Sequence, residues 1–233
     1  MTREEILSVA KPILFNTDMV RSILAGRKST TRRVIKPRYL DDEYGFKIFT
    51  NMGTGARYVE KTDKNERGFD LPRYIHPSYQ AGDYLYIREA WCWCPCWDCG
   101  METEEHICCD ETARKFYNGL KGEYGCYDYR ASCADDEYPC VDTWHPSIHM
   151  PKEAARIFLR VTDVRVERLQ DMTNDGAEKE GCGEYLTESK IRVSSLGHFT
   201  EVWNSTIPKK GLDKYGWNAN PWVWVIQFEK VEV

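Results

Sequence analysis

A helix, a glycine, a turn and a strand follow one another between residues 18 and 35, and this order constrains the fold more than any other stretch. Apolar residues at positions 19, 20, 23 and 24 form one face of a predicted helix over Asp18–Ala25. Gly26 is a predicted C-cap, because glycine adopts a left-handed backbone at little cost. The next two residues fall in a turn, and the β-branched run Ser29–Ile35 predicts a strand.

Alternation along this predicted strand separates its polar side chains into two sets. Thr31 and Arg33 belong to one face, and Thr30 and Arg32 belong to the other. Because Lys28 lies in the turn directly before the strand, the unit can aim Lys28, Thr31 and Arg33 into one site.

The same segment is a basic island in an acidic protein. Residues 19–40 contain seven Lys or Arg residues and no acidic residue, whereas the whole chain has a formal net charge of -5. A charge run of this kind indicates either an anionic or nucleotide-like ligand or a solvated basic surface. The ordered turn and strand favour the ligand.

Five motifs in order resemble the ASCH domain, the activating-signal-cointegrator homology domain. The first, the opening of the domain, is Pro12-Ile-Leu-Phe-Asn16 followed by Gly26-Arg-Lys-Ser-Thr-Thr-Arg-Arg33, and the second is Gly82-Asp-Tyr-Leu-Tyr-Ile-Arg-Glu-Ala-Trp91. The others are Trp144–Pro151 with Arg156–Asp163 (an arrangement similar to larger, phage-like members), Leu169–Gly181, and Asn220–Phe228. The resemblance covers most of the chain except about residues 51–79 and 92–140.

The resemblance implies a PUA-like fold. We expect an α+β, β-rich protein: a PUA-like (ASCH) β-barrel with short flanking helices and a cysteine-rich insertion. The length of 233 residues fits a single domain, 1–233, with an irregular excursion over 36–79 and the insertion at 92–140.

The hydrophobic pattern predicts the main elements. Strands are expected at Pro12–Asn16, Ser29–Ile35, Tyr84–Glu89, Ile157–Leu169 and Trp222–Val231. Helices are expected at Asp18–Ala25, at Thr173–Glu180 with Thr173 as N-cap, and at about Leu196–Ser205. Val161, Val164 and Val166 do not share one parity, which predicts a β-bulge near Thr162–Asp163.

The segment Leu169–Gly181 adds a second chemical element. In ASCH amidohydrolases of N4-acetylcytidine, a lysine and a threonine three residues later act with a glutamate of this segment. The resemblance places these roles on Lys28, Thr31 and Glu180. Gly176 departs from the family pattern, which commonly has a charged residue there, and glycine lowers helix propensity by roughly 1 kcal/mol.

The chemistry that the resemblance implies is cleavage of an exocyclic amide. The Thr31 hydroxyl needs a base, and Lys28 can serve if burial and neighbouring cations depress its pKa. Glu180 can hold the lysine or carry a proton to the leaving amine. The predicted substrate-binding residues are Arg27 and Arg33 in the basic segment, with Trp91, Tyr127, Tyr129 and Trp222 as aromatic stacking groups.

Nine of the ten cysteines fall within residues 92–140. The two-residue gap between Cys96 and Cys99 suits a tetrahedral zinc, with Cys108 and Cys109 as a candidate second pair and Cys126, Cys133 and Cys140 as the alternative. Structural zinc and free thiols are both consistent with this pattern. A zinc-deaminase site is disfavoured, because no His-x-Glu precedes the Pro-Cys-x-x-Cys segment.

Three functions are consistent with the sequence. The first is hydrolysis of N4-acylated cytosine or cytidine, with a small modified pyrimidine nucleoside or base as ligand and no cofactor needed for catalysis. The second is an RNA-binding or weakly nucleolytic ASCH module, although the net charge of -5 favours a small ligand. The third is a phage-type accessory protein with a zinc-dependent interaction surface. No membrane segment, signal peptide or protein partner is predicted, and a cytoplasmic location is expected.

Overall fold

The computed structural model describes residues 1–35, 46–50, 57–64, 70–95, 114–115, 124–133 and 143–233. Within these residues the helices are α1 (Arg3–Val9), α2 (Thr17–Leu24), α3 (Asn174–Lys179), α4 (Ser195–Thr206) and α5 (Leu212–Tyr215). The strands are β1 (Lys11–Leu14), β2 (Thr30–Val34), β3 (Phe46–Thr50), β4 (Arg57–Lys64), β5 (Asp70–Ile75), β6 (Tyr84–Arg88), β7 (Trp91–Pro95), β8 (Arg114–Lys115), β9 (Tyr124–Tyr129), β10 (Phe158–Arg168), β11 (Tyr185–Leu186), β12 (Arg192–Val193) and β13 (Trp222–Val231).

The protein is a mixed α+β fold with mostly β content and several sheets. Among the described residues, none of these sheets closes into the barrel that the resemblance implies. No helix of the described part is long and apolar enough to cross a membrane. The chain divides into two compact units, one of residues 1–11, 22–85 and 158–233 and the other of residues 12–21 and 86–157. The prediction of a single domain with a cysteine-rich insertion at 92–140 stays a prediction.

The first unit is built on the antiparallel strands β10, β13 and β2, with β13 in the centre. The predicted bounds of these strands agree with the structure to within one residue. The predicted bulge is confirmed, because the pairing of β10 with β13 shifts register between Val161 and Asp163. The backbone N–H of Gly82 donates to the carbonyl of Val161, and the N–H of Val161 donates to the carbonyl of Asp83, which places the start of β6 beside β10.

One face of this sheet packs against α3 and α4. Val223 and Val225 are fully buried in a cluster whose other members are Leu169, Met172, Ala177, Cys182, Phe199 and Trp203. Thr173 caps α3 as predicted, because its hydroxyl accepts the backbone N–H of Gly176. Burial of this apolar face is the main source of stability for the end of the unit that carries Glu180.

The excursion over 36–79 differs from its prediction. Instead of an irregular segment, β3, β4 and β5 form an antiparallel three-stranded sheet. Charged residues interrupt the alternation of β4, and Pro72 lies within β5, so neither strand carries a clear period-two signal.

The second unit contains the antiparallel strands β7, β9 and β8. The most buried charge among its described residues is Glu89, whose two carboxylate oxygens each accept a 2.9 Å hydrogen bond from the Arg156 guanidinium. Arg156 also lies 3.9 Å from the centre of the Tyr129 ring. This paired charge is a structural element of the second unit, because both partners are already satisfied.

Candidate functional site

The candidate site lies in the first unit, where β2 meets the end of α3. The register of β2 against β13 places Thr31 opposite Ile226 and Arg32 opposite Val225. Residues directly opposite each other on antiparallel strands share a face, so Thr31 and Arg33 lie on one face and Thr30 and Arg32 on the other, as predicted.

The turn before β2 positions Lys28. Gly26 ends α2 with φ +70, the left-handed backbone that its position as C-cap predicts. The backbone N–H groups of Arg27 and Lys28 then both donate to the carbonyl of Ser22, which closes the turn. Lys28 forms an isolated antiparallel bridge with Glu180, and this bridge joins two segments 152 residues apart.

Glu180 reaches the same place from the other direction. It follows α3 directly and is followed by Gly181, whose φ is +89. A Cβ on Gly181 would lie 2.8 Å from Cβ of Ser22, so only glycine fits this close approach. The backbone N–H of Ser29 donates to the carbonyl of Lys179 at 2.8 Å, which fixes the end of α3 beside the start of β2.

The Glu180 carboxylate is shared between two buried cations. Lys28 Nζ donates to Oε2 at 2.5 Å, and Arg32 Nη1 donates to Oε1 at 3.0 Å. Lys28 Nζ also donates to the carbonyl oxygens of Thr30, at 2.8 Å, and Glu180, at 3.0 Å. The side chain of Lys28 is 0% exposed and that of Glu180 is 5% exposed, so these interactions are shielded from water.

Arg32 is the site residue that the sequence did not identify. Its Nη2 donates to Glu167 on β10 at 3.4 Å, and Glu167 in turn accepts a hydrogen bond from Arg165. Alternation gave Arg32 its correct face but not its partner. The ion pair of Arg32 with Glu180 would have identified Arg32 as a site residue. It could be predicted only from knowledge that the two segments are in contact.

Burial shifts the pKa values of this cluster. Desolvation lowers the pKa of Lys28 from its ordinary 10.5, with the charge of Arg33 acting in the same direction and Glu180 opposing both. Desolvation likewise lowers the pKa of Arg33. Burial raises the pKa of the neighbouring Cys182 thiol to about 11, although the charge of Lys28 partly offsets it.

Thr31 is 1% exposed, and its hydroxyl oxygen accepts a hydrogen bond of 3.1 Å from Arg33 Nη1. As an acceptor of this bond, the hydroxyl keeps its own hydrogen for donation to a base. The structure therefore brings Lys28 into contact with Glu180 and sets Thr31 beside Arg33. The carboxylate itself contacts Arg32, which belongs to the opposite face of β2 from Thr31.

The predicted substrate-binding residues are distributed over both units. Arg27 is exposed in the turn, and Trp222 lies on β13 by register on the face of Thr31. The guanidinium of Arg168 covers the Trp222 ring at 4.3 Å. Trp91, Tyr127 and Tyr129 belong to the second unit, where Trp91 packs against Tyr127 and His145.

The predicted zinc ligands Cys96, Cys99, Cys108 and Cys109 lie outside the described residues, so the zinc site stays a prediction. Among cysteines with described side chains, Cys92, Cys133 and Cys182 are thiols and not disulfides. The described part of the chain holds no cluster of three or more side chains suited to a metal.

The basic island is largely paired inside the fold. Lys28 and Arg32 are buried beside a carboxylate, Arg33 bonds Thr31, and Arg21 donates to the carbonyls of residues 131 and 133. Of the island's basic residues within the described ranges, Arg27 alone is exposed. These cations therefore act within the protein more than as a face for a long polyanion.

No known protein-family model matches this chain, and no curated protein or solved structure is significantly similar to it.

Proposed function

We propose that this protein is an amidohydrolase that cleaves the exocyclic amide of N4-acylated cytosine or cytidine, on a fold of the PUA-like ASCH type. The observation that carries the proposal is the buried contact of Lys28 with Glu180. The two residues come from distant segments of the chain, and the resemblance to ASCH amidohydrolases implies that both belong to one catalytic set. Burial lowers the pKa of Lys28, so the neutral form that a general base needs is easier to reach than in a surface lysine.

In the proposed reaction, the Thr31 hydroxyl oxygen attacks the acyl carbon and its proton passes to neutral Lys28. The C–N bond then breaks, the exocyclic nitrogen takes up the proton held by Lys28, and cytosine or cytidine leaves. Water hydrolyses the resulting acyl ester and releases the carboxylic acid. In the alternative route, Thr31 orients a water that attacks the same carbon directly; both routes give the same products.

The remaining charges suit this chemistry. Arg33 donates to Thr31, so its positive charge lies next to the atom that reacts in the first route. Lys28, Arg32, Arg33 and Glu180 together carry three positive charges and one negative charge when all are ionised. A preorganised positive excess of this kind stabilises the negative charge that develops on the acyl oxygen.

The test is incubation of the purified protein with N4-acetylcytidine, with cytidine followed by chromatography. We expect cytidine release by the wild type and its loss in Lys28→Met. Lys210→Met is the matched control, because Lys210 is an exposed lysine elsewhere on the chain. Absence of cytidine and cytosine from all N4-acylated substrates would refute the proposal.

The RNA-binding alternative makes a different prediction about salt. Binding to a single strand weakens with salt, with a slope of about 0.7 per neutralised phosphate. Because the described basic residues of residues 19–35 are mostly buried or paired, we expect modest salt dependence of nucleoside turnover and weak oligonucleotide binding. Tight, steeply salt-dependent oligonucleotide binding without cytidine release would favour the RNA-binding module.

A further inference from the structure

Arg32 is a charged residue on the face of the sheet that carries the apolar core of the first unit. It lies opposite Val225, on the face of the sheet that packs against the core of the first unit, and its guanidinium carbon is 5.9 Å from the centre of the Phe199 ring. Its side chain is 3% exposed. Burial of its guanidinium costs desolvation energy that an apolar side chain on this face would not require.

The hydrogen bonds of Arg32 are directed at carboxylates but are incomplete. Its two terminal nitrogens reach Glu180 and Glu167, while its Nε is buried and has no hydrogen-bond acceptor in the described structure. A buried ion pair is often no more stabilising than an apolar pair of the same volume. The stability of the core alone therefore does not account for an arginine here.

We propose that Arg32 is a positioning residue of the candidate site: its guanidinium fixes the Glu180 carboxylate so that Oε1 is engaged by Arg32 and Oε2 faces Lys28. Glu167 accepts a hydrogen bond from the other terminal nitrogen of Arg32 and is itself paired with Arg165, so these two residues hold the Arg32 guanidinium in place. The catalytic part of this inference rests on the proposed function, whereas the positioning of Glu180 and its effect on Lys28 do not.

The charges around Lys28 determine the sign of the expected effect. Glu180 is the ion-pair partner of Lys28, and Cys182 is the neighbouring thiol. The nearby cations are Arg33 and Arg32 on β2. Tyr79 faces Arg33, and Glu167 forms an ion pair with Arg32. Arg32 and Lys28 bind the two oxygens of one carboxylate, so removal of the Arg32 charge leaves Lys28 a larger share of the negative charge of Glu180. This change favours protonated Lys28, so its pKa rises.

The experiment compares Arg32→Met, Arg32→Lys and the control Arg160→Met. Arg160 lies on β10 in an exposed pair with Glu229, so its substitution removes the same charge from the surface. The first readout is the pH titration of the Lys28 side-chain 13Cε signal, assigned by its disappearance in Lys28→Met. The second is kcat and KM for N4-acetylcytidine, and the third is unfolding in urea.

Arg32→Met is expected to move the Lys28 titration to higher pH and to lower kcat by about tenfold to a hundredfold, with KM little changed. This is the size of loss that follows removal of a partner that orients a site residue in metal centres. Arg32→Lys keeps the positive charge but loses the planar guanidinium, which can bind two carboxylates at once. We therefore expect the Lys28 titration to stay close to that of the wild type and kcat to be reduced. Arg160→Met is expected to match the wild type.

Several results would overturn the inference. An unmoved Lys28 titration in folded Arg32→Met would show that Arg32 does not act on Lys28. A wild-type kcat in Arg32→Lys would show that the guanidinium of Arg32 has no positioning role. If Arg32→Met does not fold, Arg32→Lys decides the question. A wild type without cytidine release would refute the proposed function, but the titration would still decide whether Arg32 sets the ionisation of Lys28.

Discussion

A single carboxylate, that of Glu180, faces two buried cations, Lys28 and Arg32. The arrangement is costly because burial disfavours every charge in it, and it persists because each charge has a partner in contact. Lys28 carries the clearest sign of this balance, since burial lowers its pKa in spite of the adjacent carboxylate. A lysine in this state can exchange a proton near neutral pH more readily than one on the surface.

The two adjacent threonines of β2 provide a test of the proposed catalytic set of Lys28, Thr31 and Glu180. Thr31→Ala removes the hydroxyl beside Arg33, and we expect it to reduce amide hydrolysis by at least about a hundredfold. Thr30→Ala is the matched control: Thr30 is also buried, but it contacts Lys28 through its backbone carbonyl, which alanine retains. Both variants are assayed by turnover of N4-acetylcytidine. Near-normal turnover by Thr31→Ala would show that Thr31 is not the nucleophile.

The Cys182 thiol gives a prediction for alkaline pH. Its pKa is raised from 9.0 to about 11 in the folded protein, so between these values the unfolded chain loses this proton and the folded chain keeps it. Stability conferred by the protonated thiol is therefore lost as pH rises through this window. We expect the wild type to lose about 2 kcal/mol of unfolding free energy relative to Cys182→Ala between pH 8 and 10.5.

Urea unfolding of both proteins across this pH range measures the difference, and the contributions of all other cysteines and tyrosines cancel between them. Cys182→Ala leaves a cavity, so the variant is less stable than the wild type at every pH. The relevant quantity is therefore how the difference in unfolding free energy between the two proteins changes with pH. A difference in unfolding free energy that stays constant from pH 8 to 10.5 would contradict the raised pKa of Cys182.

Among the elements, the turn after α3 determines where Glu180 lies. Gly181→Ala would place a Cβ 2.8 Å from Ser22 and hold a non-glycine residue at φ +89. We expect a loss of stability of about 1–3 kcal/mol from the backbone alone, and a loss of hydrolysis because Glu180 is displaced. Gly183→Ala is the control, since nothing lies within 4 Å of its Cβ position, and its effect should stay within about 0.5 kcal/mol.

Thermal or urea unfolding with a parallel turnover assay separates these two glycine variants. Equal behaviour of Gly181→Ala and Gly183→Ala would show that the close approach to Ser22 does not hold the turn. The neighbouring Gly176 has a related role: a Cβ there would lie 2.8 Å from the sulfur of Met172. A larger residue at this position would therefore need the Met172 side chain to move.

Elements with strong periodicity could be predicted from the sequence. The parity change along β10 located the bulge, and Thr173 located the start of α3. The strands β4 and β5 were missed because local alternation is weak in them, and their pairing with each other stabilises them instead. Partners that depend on tertiary contact were also missed. Alternation gives the face of Arg32, but only the packing of α3 against β2 brings Glu180 to it.

For the whole molecule, the predicted cysteine-rich insertion at 92–140 gives the prediction that concerns a metal. We expect elemental analysis of protein purified without added metal to give about one zinc per chain, as one four-thiolate site requires. The double variant Cys96→Ser, Cys99→Ser should lose it, whereas Cys182→Ala should retain it, because Cys182 lies outside the insertion. Metal-free protein that stays folded and active would indicate plain thiols instead.

A ribosome releases β2 long before β13, the strand to which β2 is hydrogen-bonded. Until residues 222–231 have emerged, the segment Thr30–Val34 has no edge to join, and Lys28 lacks the glutamate that follows 152 residues later. Nascent chains that stop before Glu180 thus carry the basic segment without its counter-charge. Such chains lack the contact of Lys28 with Glu180, so the candidate site is assembled only after the later segment has been made.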